Sequence, residues 1–364
     1  MDLDVHYMSR ALELAERGRF TSRPNPRVGC VLVKAGQVIG EGWHQYAGGA
    51  HAETMALAEA GSEAAGSTCY VTLEPCCHQG RTPPCVESLL QAQVARVVAA
   101  MPDPNAQVNG QGLAQLRAAG VRVEVEVERA RAEQLNRGFC KRMRQGLPYV
   151  VVKTAASLDG RTALASGISQ WISSPEARKD VHRMRAQSGA VVTGIGTIVA
   201  DDPLLTVRDF PLDPLVEQPL RVVADSRLRF PLAAKMLSQA GATCIATTVA
   251  DPASAAPLQA GGAEVVVVAG DDARVDLHAM LQMLAQRGIN DVLVEAGPVL
   301  SGALLSAGLV DEVLLYLAPK LIGSDGLGMF NLGSFSGLAQ CPQLEILEVS
   351  SMGPDLRVIA RLNG

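Results

Sequence analysis

The stretch STCYVTLEPCCHQGRTPPCVESLLQ, residues 67–91, decides the fold. Residues 67–75 read as a strand that ends at Pro75. An irregular Cys/Gly/Pro loop follows, and a helix then opens at Cys85, behind Pro83 and Pro84. Strand, loop and helix in that order mark a sheet with helices on its faces, and the flanks repeat the rhythm. Upstream, residues 4–18 carry a helical stripe of Val5, Met8, Leu12 and Ala15. The turn RPNPRVG leads into CVLVK and GQVIGEGWH, a hairpin around Gly36, and HAETMALAEA is a helix begun by His51. Downstream, ARVVAAMPDP reads as a strand, GQGLAQLRAAG as a helix closed by Gly120, and VRVEVEVE as a half-exposed strand.

Residues 129–144, RARAEQLNRGFCKRMR, set six basic residues against one acidic. A nucleic-acid patch and the solvated face of a boundary helix both fit this run. Leu135, Phe139 and Met143 supply a buried stripe, which favours the second reading. Gln145-Gly146-Leu147-Pro148 breaks the pattern and divides the chain into residues 1–145 and 146–364. Beyond it, YVVVKTAAS opens a second α/β sheet. Further strands are expected in SGAVVTG, LRVVADS, ATCIATT, AEVVVVAG, NDVLVEAG and DEVLLYLAP, with helices near 175–188, 276–288 and 298–308. Residues 250–256 read as a loop of small residues.

With 364 residues, two domains are expected. The 48% hydrophobic and 19% charged content gives enough material for two cores and excludes disorder. Aromatics at 4% argue against base stacking on single strands, and a net charge of −5 supplies no field for phosphate backbones or membrane surfaces. The acidic excess lies in the second half. The start MDLDVHYMSR lacks a basic, apolar leader pattern, and the longest uncharged apolar run, residues 296–310, is too short to span a bilayer. A cytoplasmic chain is therefore expected, with eight reduced cysteines and neither nucleic acid nor membrane as partner.

The strongest chemical signal is His51-Ala52-Glu53 followed by Pro75-Cys76 and Pro84-Cys85. Imidazole and thiolate are zinc ligands, and a catalytic zinc site keeps three protein ligands and one open position. Helix N-termini favour thiolate over thiol, which suits Cys85. Glu53, two residues past His51, can stand beside the metal without binding it and carry a proton from water to a leaving amine. This is the H-x-E…P-C pattern of zinc nucleobase deaminases, except that eight residues separate the cysteines.

That spacing is itself informative. EPCCHQGRTPPC, with NPRVGCVLV upstream and HAE between, resembles the deaminase half of the bifunctional riboflavin-biosynthesis deaminase/reductase, in which the long spacing is normal. The resemblance implies a cytidine-deaminase-like α/β/α domain, zinc on His51, Cys76 and Cys85, and proton transfer by Glu53. It leaves Cys77 out of the ligand set, although its thiol could bind metal. His78, Arg81 and Asn25 are expected to touch substrate.

The resemblance continues through VKTAASLDGRTA, SGISQWISS, RMRAQS, GTIVADDPLLTVR, ADSRLR, VEAGP and LAPKLIGS, and covers essentially the whole chain. It implies a dihydrofolate-reductase-like α/β domain that uses NADPH. Consistently, Gly194-Ile195-Gly196 lacks the third glycine of a Rossmann fingerprint, because residue 199 is Val. Expected cofactor contacts are Ala155, Trp171, Thr197, Asp201, Ser226 and the turn Gly297, Pro298, Val299, Leu300, Ser301, Gly302 and Ala303. That turn is a strand-to-helix junction with free N–H groups, which suits a phosphate. Expected substrate contacts are Ser169, Arg185, Leu205, Arg208 and Glu295, with Lys153 and Asp159 at the substrate edge. Arg185 and Arg208 are guanidinium forks suited to a sugar phosphate. Trp171 offers a flat face to a nicotinamide or a ribose.

The implied reactions are hydrolytic deamination of a phosphorylated diaminopyrimidinone ribosylamine and NADPH reduction of its ribosyl chain to ribityl. An exposed edge of the second sheet and the family both point to a homodimer. Two other readings stay open. A zinc-dependent nucleic-acid deaminase with an accessory domain predicts a basic groove and short cysteine spacing, and the sequence has neither. A non-catalytic zinc- and nucleotide-binding regulator would use Cys77 as fourth ligand and would not need Glu53.

Overall fold

The computed structural model describes residues 2–77, 83–106, 108–214, 216–268, 270 and 272–362, which fall into two units, Met1–Leu147 and Pro148–Gly364. In the first, α1 (Leu3–Glu16) precedes the hairpin of β1 (Gly29–Lys34) and β2 (Gln37–Trp43). Ala35 and Gly36 between these strands have φ of 50° and 79°, the positive values a two-residue hairpin turn needs. There follow α2 (Ala52–Ala60), β3 (Thr68–Val71), α3 (Cys85–Gln91), β4 (Arg96–Ala99), α4 (Gln111–Ala118), β5 (Arg122–Val125), α5 (Arg129–Leu135) and α6 (Arg137–Gln145).

The strands form one sheet in the order β2-β1-β3-β4-β5, antiparallel through β2, β1 and β3 and parallel from β3 to β5. Met8, Leu12, Leu135 and Phe139 pack α1, α5 and α6 on one face. Ala52, Ala56, Leu89 and Leu116 pack α2, α3 and α4 on the other. Glycines let α2 sit against the β2 backbone. A Cβ on Gly40 would meet the Ala56 carbonyl oxygen at 2.2 Å, and one on Gly42 the Ala52 carbonyl oxygen at 2.2 Å.

The second unit holds β6 (Tyr149–Ser157), β7 (Arg161–Ala163), α7 (Pro175–Gln187), β8 (Ala190–Gly194), α8 (Ile195–Asp201), β9 (Leu220–Ala224), β10 (Thr243–Thr247) and α9 (Pro252–Ala260). It continues with β11 (Ala263–Val267), α10 (Leu277–Gln286), β12 (Asp291–Val294), α11 (Pro298–Ser306), β13 (Glu312–Ala318), β14 (Leu327–Gly328), β15 (Leu344–Met352) and β16 (Asp355–Leu362). Its main sheet runs β11-β10-β9-β8-β12-β6-β13-β16-β15, parallel as far as β13 and antiparallel at the β16 and β15 edge. A buried polar network ties α7 to that edge. Asp180 accepts from the Tyr316 hydroxyl at 2.7 Å, from Arg183 Nε at 2.7 Å and from Arg357 Nη1 at 3.0 Å.

Several elements differ from the sequence reading. The small-residue run at 250–256 is no loop, since α9 starts there. Asp251 caps it by accepting from Ala253 and Ser254 N–H groups, and Pro252 sits in the first turn, where a missing N–H costs nothing. The basic run at 129–144 is two helices. Asn136 breaks it because its side chain pairs with both the N–H and the C=O of Arg27, at 2.8 and 2.9 Å. Three of the six basic residues of this run face outward in ion pairs, Arg129 to Glu126, Arg131 to Glu128 and Arg144 to Glu133. Strand β3 stops at Val71, four residues before Pro75, as the chain turns to place Glu74 in the interior. The β15 and β16 hairpin carries no strong alternation and was not expected. Among the described residues, no helix is long and apolar enough to cross a membrane.

Candidate functional site

Three elements bring the metal-type ligands of the first unit together. His51 is the N-cap of α2, Cys85 is the first residue of α3, and Cys76 lies in the loop after β3. Among the described residues they form the one group of such side chains suited to a metal ion, with ligand atoms all within 4.8 Å of one another. His51 Nδ1 stands 3.2 Å from Cys85 Sγ and 3.5 Å from Cys76 Sγ, and the Cys85 N–H donates to Cys76 Sγ at 3.3 Å. A hydrogen bond from the Cys85 thiol, with help from His51, holds Cys76 well below the usual thiol range. The same interaction and burial drive Cys85 up. Two sulfurs and an imidazole at this spacing are the donor set of a zinc site with one position left open.

Glu53 is 3% exposed, and burial pushes its carboxyl up to about 7, where it can both take and release a proton near neutral pH. Cys77 lies outside the three-ligand group and packs against the apolar cluster beneath α2 and α3. His78 and Arg81 lie outside the described residues. The Asn25 amide nitrogen stands 3.0 Å from His44 Nε2, while His44 Nδ1 lies 3.1 Å from the Ala50 carbonyl oxygen. A carbonyl can only accept, so Nδ1 carries the hydrogen and Nε2 accepts from Asn25. This turns the Asn25 oxygen away from His44. The His44 ring lies edge-on to His51, with centroids 5.5 Å apart.

Sequence reasoning passed over His44, and also Glu74. The buried Glu74 carboxylate accepts from the N–H groups of Asp103, Gly110, Gly112 and Leu113 at 3.0, 2.8, 2.9 and 3.4 Å. It thereby hangs the loop after β4 and the start of α4 on the segment that carries Cys76. Gly112 lies so close to Pro75 that a Cβ would meet its carbonyl oxygen at 2.2 Å. A charged residue inside an otherwise apolar strand pattern was the available signal.

In the second unit, Arg185 on α7 and Glu295 at the end of β12 form a two-pronged pair, with Nε to Oε1 at 2.5 Å and Nη2 to Oε2 at 2.9 Å. Lys153 Nζ on β6 stands 3.8 Å from Glu295 Oε2. Burial would raise the Glu295 carboxyl, but Arg185 and then Lys153 hold it down to about 2. Burial lowers Lys153 in turn. Arg208 and Leu205 lie on the irregular segment after α8, where Leu205 has a φ of 51°. The Arg208 Nη1 reaches Thr206 Oγ1 at 3.4 Å.

Thr197 on α8 accepts at Oγ1 from the Gly297 N–H at 3.3 Å, which joins two expected cofactor contacts. Along the turn they flank, Val299 is exposed. Ser301 is buried with its hydroxyl on the Ala296 carbonyl, and Gly302 presses on Asn331. Ser226 uses its hydroxyl to accept from the Val275 N–H at 3.0 Å. Asp201 ends α8 at the surface, and Ala155 lies on β6 two residues from Lys153. Trp171 is 65% exposed, but Arg178 covers one ring face at 4.6 Å from the centroid. Ser169 is half-buried, with its carbonyl accepting from the Ile172 N–H. Asp159 accepts from the N–H groups of Ile322 and Gly323, and Lys320 donates to the carbonyls of Trp171 and Ile172.

The α/β/α unit with its His-Cys-Cys cluster and buried glutamate belongs to the class of zinc-type deaminases, here joined to a second α/β unit. Residues 1–101 match the model for the cytidine and deoxycytidylate deaminase zinc-binding region, and residues 148–358 match the RibD C-terminal domain. The riboflavin biosynthesis protein RibD of Escherichia coli (strain K12) is 50% identical over 97% of this chain and 98% of its own length. That of Haemophilus influenzae is 44% identical over 98% and 96%. Two solved structures are also similar. Acinetobacter baumannii RibD (form 2) has a TM-score of 0.91 at 45% identity, covering 99% of both chains. A diaminohydroxyphosphoribosylaminopyrimidine deaminase/5-amino-6-(5-phosphoribosylamino)uracil reductase from Thermotoga maritima has a TM-score of 0.85 at 31% identity and the same coverage. The chain belongs to the RibD family, the bifunctional deaminase and reductase of riboflavin biosynthesis.

Proposed function

We propose that residues 1–145 deaminate 2,5-diamino-6-ribosylamino-4(3H)-pyrimidinone 5′-phosphate and that residues 146–364 reduce the ribosyl chain of the product to ribityl with NADPH. The observation that carries the first half is the grouping of His51, Cys76 and Cys85 ligand atoms within 4.8 Å. Those three residues would hold zinc, which would supply the acidity that makes water a nucleophile near neutral pH. Glu53 takes the proton of the attacking water on its carboxylate and passes it to the departing amine. Its carboxyl at about 7 suits both transfers. Asn25, oriented by His44, presents its amide oxygen to the pyrimidine.

In the second half, Arg208 and Arg185 meet the substrate, Arg208 by its 5′-phosphate and Arg185 together with Glu295. Ser169 and Leu205 complete the substrate wall. Ala155, Trp171, Thr197, Asp201, Ser226 and the turn Gly297 to Ala303 would hold NADPH, which would supply the hydride for the former anomeric carbon. The open face of Trp171 remains available to it. The enzyme works in the cytoplasm as a homodimer. Glu53→Gln on the full chain tests the assignment. Zinc content and NADPH-dependent reduction of supplied deaminated substrate should be kept while ammonia release stops, and undiminished ammonia release would refute it.

A further inference from the structure

Residues 203–208, Pro-Leu-Leu-Thr-Val-Arg, begin the connection from α8 to β9 without regular structure of their own, so other elements must fix their backbone. Side chains do so almost residue by residue. Arg221 on β9 donates to the Leu204 carbonyl at 3.5 Å, and Arg185 to the Thr206 carbonyl at 2.9 Å. Gln218 pairs with both the N–H and the C=O of Val207, at 2.8 and 3.1 Å. The last clamp is His182, on α7 one turn before Arg185. Its Nδ1 accepts the Arg208 backbone N–H at 3.2 Å, and its Nε2 stands 3.5 Å from Asp209 Oδ2.

The hydrogen-bond pattern fixes the state of the ring. An N–H donor at Nδ1 requires a lone pair there, so the imidazole is neutral and carries its hydrogen on Nε2, facing the Asp209 carboxylate. The residue is 4% exposed, and burial, with Arg185 and Arg208 adding to it, lowers the imidazole below its ordinary range against the opposing pull of Asp209 and Glu295. The ring therefore grips two successive residues, Arg208 by its backbone and Asp209 by its carboxylate. Such a grip sets the direction in which the Arg208 guanidinium leaves the chain. The same helix delivers Arg185, so one rigid element aligns both guanidinium groups.

We infer that His182 is a positioning residue of the reductase, holding Arg208 in register to receive the substrate's 5′-phosphate. This rests on the assignment of Arg208 to that phosphate. His182→Asn and His182→Gln substitutions separate the hydrogen bond at Nδ1 from the contact at Nε2, because the Asn oxygen occupies the place of Nδ1 whereas Gln reaches the place of Nε2.

The test uses the full chain, with the reductase assayed on the 5′-phosphorylated substrate and on its dephosphorylated counterpart. His182→Gln should raise KM for the phosphorylated substrate about tenfold, the worth of one hydrogen bond, with kcat within about twofold. It should leave KM for the dephosphorylated compound unchanged. His182→Asn should restore KM to within about threefold of the parent. In an Arg208→Ala background, His182→Gln should add nothing further. An unchanged KM in His182→Gln, an equal loss on both compounds, or a further loss on top of Arg208→Ala would overturn the proposal. If Arg208→Ala alone leaves KM unaltered, the phosphate assignment falls and the role of His182 falls with it. If Arg208→Ala raises KM and His182→Gln does not, only the role of His182 is lost.

Discussion

Arg185 and Glu295 meet through two parallel hydrogen bonds that join α7 to the end of β12. Both side chains are largely closed to solvent, so neither charge tolerates the loss of the other. The pair also holds Glu295 3.8 Å from the Lys153 ammonium, where the reductase half is expected to meet its substrate.

The pair gives the second unit a defined acid dependence. A carboxyl held at about 2 when folded, against 4.5 when free, contributes stability that is full above pH 4.5 and is lost as the pH falls toward 2. Glu295→Gln removes that titration. Unfolding free energy measured in denaturant at successive pH values should therefore fall less steeply over this window in the variant. Parallel profiles for parent and variant would contradict the pairing.

Asp180 gathers hydrogen bonds from Tyr316, Arg183 and Arg357 in the interior. Replacing it by Ala leaves a buried guanidinium and a hydroxyl without their acceptor and should cost about 3 kcal/mol. Thermal melting of the full chain should show the second unit unfolding earlier while ammonia release at low temperature is kept. A melting curve identical to the parent's would count against this role.

Gly42 faces α2 at a distance that excludes a side chain. Gly42→Val should lever α2 from β2, displace His51 and Glu53, and destabilise the first unit by about 1–3 kcal/mol. Metal analysis should show zinc lost and ammonia release abolished with reductase turnover intact. Full zinc occupancy in this variant would mean that α2 is not held by that contact.

Cys77 and Cys85 differ in what surrounds them, although both lie near the metal loop. Cys85→Ser should empty the zinc site, as should prolonged dialysis against a chelator. Cys77→Ser should keep zinc, because its thiol packs on an apolar cluster outside the ligand group. Zinc loss from Cys77→Ser would restore it as a ligand.

The alternation of strands and helices in the first unit was legible in the sequence because each segment carries its own period and its own stop. Examples are Gly36 in the hairpin and the two prolines before Cys85. The grouping of His51, Cys76 and Cys85 was legible because zinc chemistry admits few residue types. Long-range side-chain pairings were not. Nothing near Asn136 in the sequence signals that it grips Arg27, so the break between α5 and α6 stayed hidden. Glu74 and His182 were missed for the same reason, since their partners lie far along the chain. The β15 and β16 hairpin escaped because β15 is an exposed edge strand without polar and apolar alternation.

The first unit folds around its own sheet and clusters, and the second around another. This has a genetic consequence. Replacing Cys85 should silence one step and replacing Arg185 the other, each sparing its counterpart. A strain carrying both alleles on separate copies of the gene therefore holds a complete set of working halves. Whether it grows without added vitamin depends on the intermediate leaving the site of one chain and entering the site of another, within a mixed dimer or between dimers, so growth of that strain measures passage between chains.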